Sequence, residues 1–139
     1  MAVKSIALAG DKRFIVYEML PYGHASSCCS ASLRLEFLST SELDSESLHM
    51  LVRKCAAGLT GQVKHLVGTY EDSIVFLDHD NWLCSWRVDA DVNAVQRHFF
   101  LPRDWLNPDA LRMAVLDAQG TFLCPKHGCV AIVQNGLKL

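Results

Sequence analysis

Residues 74–86 read "IVFLDHDNWLCSW": apolar at both ends, with Asp78, His79, Asp80 and Asn81 in the middle. Two acids and a histidine have the chemistry of a divalent-metal site or of an acid–base pair. The same four residues also suit a chain reversal, because Asp and Asn bond to nearby backbone and tolerate left-handed dihedrals. Apolar runs on both sides, and no second ligand cluster obviously facing this one, favour the turn. The stretch therefore predicts strands over 73–79 and 82–88 joined at a polar corner. In the second strand Trp82, Cys84, Trp86 and Val88 share one face, and Leu83, Ser85 and Arg87 share the other.

Similar short runs extend in both directions. "SIALA" (5–9) and "RFIVYEML" (13–20) predict a hairpin turning near Gly10 and Asp11. In "LRLEFLS" (33–39), Leu33, Leu35 and Phe37 alternate with Arg34 and Glu36, the period of a half-buried strand. "VKHLVGTY" (63–70) and "VQRHFFL" (95–101) flank the central pair, and "TFLCP" (121–125) and "CVAIV" (129–133) make a terminal hairpin. Between strands, "PYGHASSCCSAS" (21–32) reads as a loop, and 102–116 as a turn with a short helical stretch. One segment breaks the pattern. Leu48, Leu51, Val52, Cys55 and Leu59 recur at helical spacing, which predicts a helix near 43–57. Ser41 or Ser45 caps it, acids fill its first turn, Arg53 and Lys54 sit late, and Gly58 or Gly61 ends it.

The expectation is a mainly β chain forming a single domain over 1–139. Its strands fall into three groups, 4–39, 63–101 and 112–134, of three or four antiparallel strands each. A spacing of roughly 40–50 residues per group suits propeller blades. No repeated sequence enforces the period, and a small β-sandwich or a mixed α+β domain suits the same spacing.

Half of the residues are hydrophobic, a fifth are charged, and the net charge is −2, which is globular composition. No long basic run favours nucleic acid, and no apolar run is long enough to cross a bilayer. Asp11, Lys12 and Arg13 interrupt the N-terminal apolar stretch too early for a signal peptide. The expected location is the cytoplasm, where the six cysteines stay as free thiols.

Three long stretches, "GQVKHLVGTYEDSIVFLDHDNWLCSWRVD" (61–89), "VQRHFFLPRDWLN" (95–107) and "GTFLCPKHGCVAIVQNGLK" (120–138), together resemble the C-terminal end of fungal NACHT-type and WD-repeat proteins. "RFIVYEM" and "LRLEFLSTSEL" resemble the preceding blade of such receptors. The resemblance implies about three propeller-type blades used for binding rather than chemistry. The chain lacks a G-x-x-x-x-G-K-[ST] phosphate loop, so nothing corresponds to the nucleotide-binding module. Three blades are also fewer than the four to eight of closed rings, so open sheet edges need cover from a protein partner, from self-association or from the helix at 43–57.

Other constellations carry competing readings. Cys124, His127 and Cys129 offer three zinc ligands within six residues, with Cys28, Cys29 or His24 as a fourth. The spacing matches no common paired-cysteine zinc pattern, so a hairpin with apolar-packing thiols is preferred and a small zinc-stabilised domain is the alternative. If Cys124 and Cys129 face each other across that hairpin, oxidation can join them. Cys28 and Cys29 beside His24 lack the electropositive setting of a nucleophile. Trp82 and Trp86 are read as core, and Trp105 as a surface corner near a basic group of Arg97, His98, Arg103 and Arg112. The resulting expectation is a non-enzymatic interaction module without a cofactor or metal. Its exposed contact positions are Trp105, Arg103, His98 and the turn Asp78, His79, Asp80 and Asn81.

Overall fold

Three antiparallel meanders follow one another along the chain in the computed structural model, which describes residues 2–9, 14–20 and 34–39 by their backbone, together with 58–87 and 90–137. The first sheet has the order β1-β2-β3, from Ala2–Ala9, Phe14–Leu20 and Arg34–Ser39. The second has the order β4-β5-β6-β7, from Val63–Tyr70, Ser73–Asp78, Trp82–Arg87 and Gln96–Phe100. The third has the order β8-β9-β10, from Val115–Leu116, Phe122–Lys126 and Cys129–Val133. The mainly β expectation holds. The two-residue strand β8 lies in a stretch read as turn and helix, and a helical turn, Pro108–Arg112, precedes it. The helix expected over 43–57, the turn at Gly10 and the loop 21–32 fall outside the described residues. Residues 58–60 are helical, and Gly61 follows in a turn.

The second sheet is the centre of the described molecule. β5 is buried along its whole length, as its unbroken apolar run requires of a strand covered on both faces. One face presents Val75, Leu77 and Leu83 to Leu101, Leu111, Phe122 and Cys124, with Phe99 and Leu116 packed alongside. The other carries Ile74, Phe76, Cys84 and Trp86, none more than 1 % exposed. Burying each large side chain contributes about 1.5–3 kcal/mol before chain entropy is subtracted. The faces follow the alternation read from 82–88: Leu77 stands opposite Leu83, and Phe76 opposite Cys84.

The first strands of the three meanders are neighbours: β1 runs beside β4, and β4 beside β8. Small residues permit the second approach. Gly68 of β4 lies against Leu116 of β8. Gly120, at φ 75°, lies under the Tyr70 ring, where a Cβ would come within 2.9 Å of the ring.

One hairpin recurs. The sequence LDHDN at 77–81 is matched by LDAQG at 116–120, 39 residues on. In each, the aspartate Oδ1 accepts the amides two and four residues later: Asp80 and Trp82 for Asp78, Gln119 and Thr121 for Asp117. In each, the last of the five residues is left-handed, Asn81 at φ 69° and Gly120 at φ 75°. The strands leave both turns in the same register, Leu77 opposite Leu83 and Leu116 opposite Phe122. The two turns share only their Leu and Asp in sequence, so what recurs is the turn geometry.

Candidate functional site

The corner at Asp78–Asn81 is a turn of the three-residue hairpin kind, with the left-handed position last. Asn81 N donates to Asp78 O at 3.2 Å. Asp78 is only 6 % exposed, and its two oxygens are fully employed. Oδ1 accepts the amides of Asp80 and Trp82, each at 2.9 Å. Oδ2 takes the Arg97 guanidinium at 2.8 Å and the Cys84 thiol at 3.6 Å. Arg97 comes from β7 and also grips Asp80 at 2.6 Å. It lies 5.9 Å from the centre of the Trp82 ring, which meets Phe100 edge-on at 6.0 Å. The bond to Asp80, then the charge of Asp78, raises the Arg97 pKa further above its already basic value. Asn81 is 8 % exposed, accepts from Lys64 Nζ at 2.8 Å and lends its carbonyl to the Leu101 amide at 2.9 Å.

These bonds tie β4, β5, β6, β7 and the start of the following segment to one point. Of the four residues expected to be exposed, His79 and Asp80 are, whereas Asp78 and Asn81 are buried. The reason is long-range: Asp78 meets Arg97 of β7, and Asn81 meets Lys64 of β4 and the Leu101 amide, so neighbouring strands cover both. Cys84, beneath it, has its thiol pushed up to about 12, by burial first and by the Asp78 charge second. It is a protonated donor rather than a nucleophile.

The expected basic group around Trp105 does not form as read. Arg97 is committed to Asp78 and Asp80. His98 turns to the other face and places Nε2 2.7 Å from Ser85 Oγ. That imidazole is half-buried, and burial lowers its pKa. A pocket of about 300 Å³ opens beside Ser85, with Glu71, Asp72, Arg87 and Gln96 around it. The tryptophans also divide. Trp86 is core, 1 % exposed, with Nε1 donating to Asp91 O at 3.0 Å. Trp82, expected in the core, is only half-buried at the corner.

Trp105 sits in a second setting. Residues Arg103–Trp105 form a single 3-10 turn closed by Trp105 N donating to Pro102 O. Asn107 then caps the helical turn Pro108–Arg112, its side chain accepting from the Asp109 amide, with proline at the start of the turn. Buried His65 of β4 lies 3.1 Å from Leu111 O; because that oxygen can only accept, Nε2 carries the proton. This arrangement leaves a groove of about 420 Å³ between the helical turn and the β9–β10 hairpin. Trp105, Ala110, Met113, Pro125 and Val130 supply its apolar lining. Lys126 places Nζ 4.7 Å above the indole, within cation–π reach. Met113 is 60 % exposed and Val130 56 %. Arg103 is exposed but does not line the groove, and neither does Arg112.

The hairpin beside the groove shows where the zinc candidates go. β9 and β10 turn through His127 (φ 43°) and Gly128 (φ 82°), a two-residue turn with both centres left-handed. Cys129 pairs with Lys126 and Cys124 with Ala131, so the two cysteines are not cross-strand partners. Cys124 is buried, its thiol raised by burial and aimed at Trp105 O, 3.8 Å away. Cys129 and His127 are exposed. Among the described residues no three His, Cys, Asp or Glu side chains gather as metal ligands. His24, Cys28 and Cys29 lie outside the described residues. Lys126 over Trp105 was not read from the sequence. The available signal was the alternation of "CPKHGC" across a tight turn, which puts Lys126 on the same face as buried Cys124.

No family model matches the chain, and neither a curated protein nor a solved structure is significantly similar to it. Among the described residues no helix is long and apolar enough to cross a membrane.

Proposed function

We propose that this chain is a non-enzymatic protein-interaction module that holds an apolar-anchored peptide of a partner in the Trp105 groove. The observation that carries this reading is the groove itself. An indole, a methionine, a proline and a valine line it, and a lysine sits on the indole at its rim. Aromatic and methionine side chains half-open to solvent are what peptide-docking surfaces use as anchors. The polar cluster at Asp78, by contrast, spends its groups on the fold.

The scaffold reading is a set of propeller-type blades. Three successive meanders support it, with their first strands side by side and the middle sheet covered on both faces. The resemblance of 61–138 to the terminal blades of fungal NACHT-type and WD-repeat receptors points the same way, and such blades present binding loops on a rigid frame.

A displayed random-peptide library selected against the immobilised full chain tests this reading. The expected result is a family of peptides with an aromatic or aliphatic anchor whose capture drops at least about tenfold on Trp105→Ala. Failure to enrich any peptide sensitive to Trp105→Ala overturns it.

A further inference from the structure

The outer edges of the second and third sheets differ in how they are protected. β7 carries Arg97 and pairs with β6 through a register break. Charges and bulges of this kind keep edge strands from pairing with other chains. β10 has neither. Its five residues, Cys129, Val130, Ala131, Ile132 and Val133, include no charge and no proline. Its pairing with β9 is regular through all five positions. Among the described residues no strand pairs with its outer side. Beyond β10, Leu137 packs against the core.

The strand's outward face is apolar too. Ile132 stands opposite Leu123, and Leu123 opposite Val115, so three aliphatic side chains line up across the sheet. Val115 is 52 % exposed, Val130 56 % and Ile132 60 %.

The geometry points to a second copy of this chain as the occupant of that edge, with β10 pairing antiparallel to β10 about a two-fold axis centred on Ala131. This deepens the interaction-module reading, on which it rests, by naming one partner and its surface. The strand is its own complement. An uncharged strand meets no repulsion from itself, and a two-fold seam satisfies the open amides and carbonyls of both copies. In this register Cys129 stands opposite the partner's Val133, and Val130 opposite the partner's Ile132. The second pair places two β-branched side chains in contact on the outer face, where both are now exposed. The result is one continuous six-stranded sheet.

Light scattering on the full chain, across a micromolar to submillimolar concentration series, should give twice the 15.5 kDa mass of one chain. Ile132→Lys should return it to one mass while keeping a cooperative thermal melt, equal to that of wild type once both are diluted to monomer, because Ile132 is exposed and outside the core. Val133→Cys should yield a disulfide-linked dimer on mild oxidation, and that product should vanish when Cys129→Ser is added. A single-chain mass at every concentration overturns the inference. So does a dimer that survives Ile132→Lys and gives no Cys129-dependent cross-link. A monomer that still selects peptides at Trp105 refutes the dimer alone; because Val130 lines the groove as well as the seam, selection is repeated on the monomeric Ile132→Lys chain, and failure to select there refutes the groove alone.

Discussion

Arg97 reaches back from β7 to Asp78, with Nη2 2.8 Å from Oδ2, and so fastens the outer strand to the turn that begins β6. Asp78 is buried and the arginine half-exposed, so the two ends of the bond carry unequal weight. Asp78→Ala strips two amides and a guanidinium of their acceptor and should destabilise the chain by about 2–4 kcal/mol. Arg97→Ala should cost less, because the guanidinium is open to solvent and water replaces part of what it gives. Urea unfolding followed by tryptophan fluorescence ranks the two. An Arg97→Ala loss larger than that of Asp78→Ala contradicts this assignment.

The left-handed residues at the two recurring turns should respond differently to substitution. Asn81→Gly keeps the backbone but loses the bond from Lys64, so it should be close to neutral. Asn81→Val forces a β-branched side chain into the left-handed region and should cost about 1–2 kcal/mol. Gly120→Ala should cost at least as much, because its methyl meets the Tyr70 ring. Thermal melting of the three variants orders them.

His98 gives the fold a dependence on pH. Burial lowers its pKa below the ordinary value of about 6.5, so the unfolded chain binds the proton more readily. The stabilising contribution is whole above about pH 6.5 and fades as pH falls through the folded value. The stability gap between wild type and His98→Gln should therefore narrow between pH 7 and pH 5. A gap independent of pH would contradict the assignment.

Thiol reactivity should separate three cysteines. Cys129 is exposed, whereas Cys84 and Cys124 are buried with raised pKa values. Maleimide labelling of the native chain, mapped by peptide mass spectrometry, should modify Cys129 within minutes. Cys84 and Cys124 should react only after denaturation. Fast labelling of Cys84 would show that its thiol is not held under Asp78.

Much of this was legible because strand periodicity is local. The alternation over 82–88 placed Trp86 and Cys84 on one face and Leu83 and Ser85 on the other, and the polar run at 78–81 announced its turn. Which turn residues end up buried was not legible. Asp78 and Asn81 point inward because of bonds to Arg97, Lys64 and Leu101, which are between 17 and 20 positions away. Trp105 was singled out as a corner, but its neighbour Lys126 belongs to a later hairpin. Strand β8 was missed because two residues are too few to show a period. Its Asp117 turn, matched to Asp78, carried the usable signal.

The most direct test of the groove is calorimetric titration of one library-selected peptide into wild type, Trp105→Ala and His79→Ala. Binding through the groove predicts at least about tenfold weaker affinity for Trp105→Ala and unchanged affinity for His79→Ala. Equal affinity for wild type and Trp105→Ala, or a loss confined to His79→Ala, would contradict it.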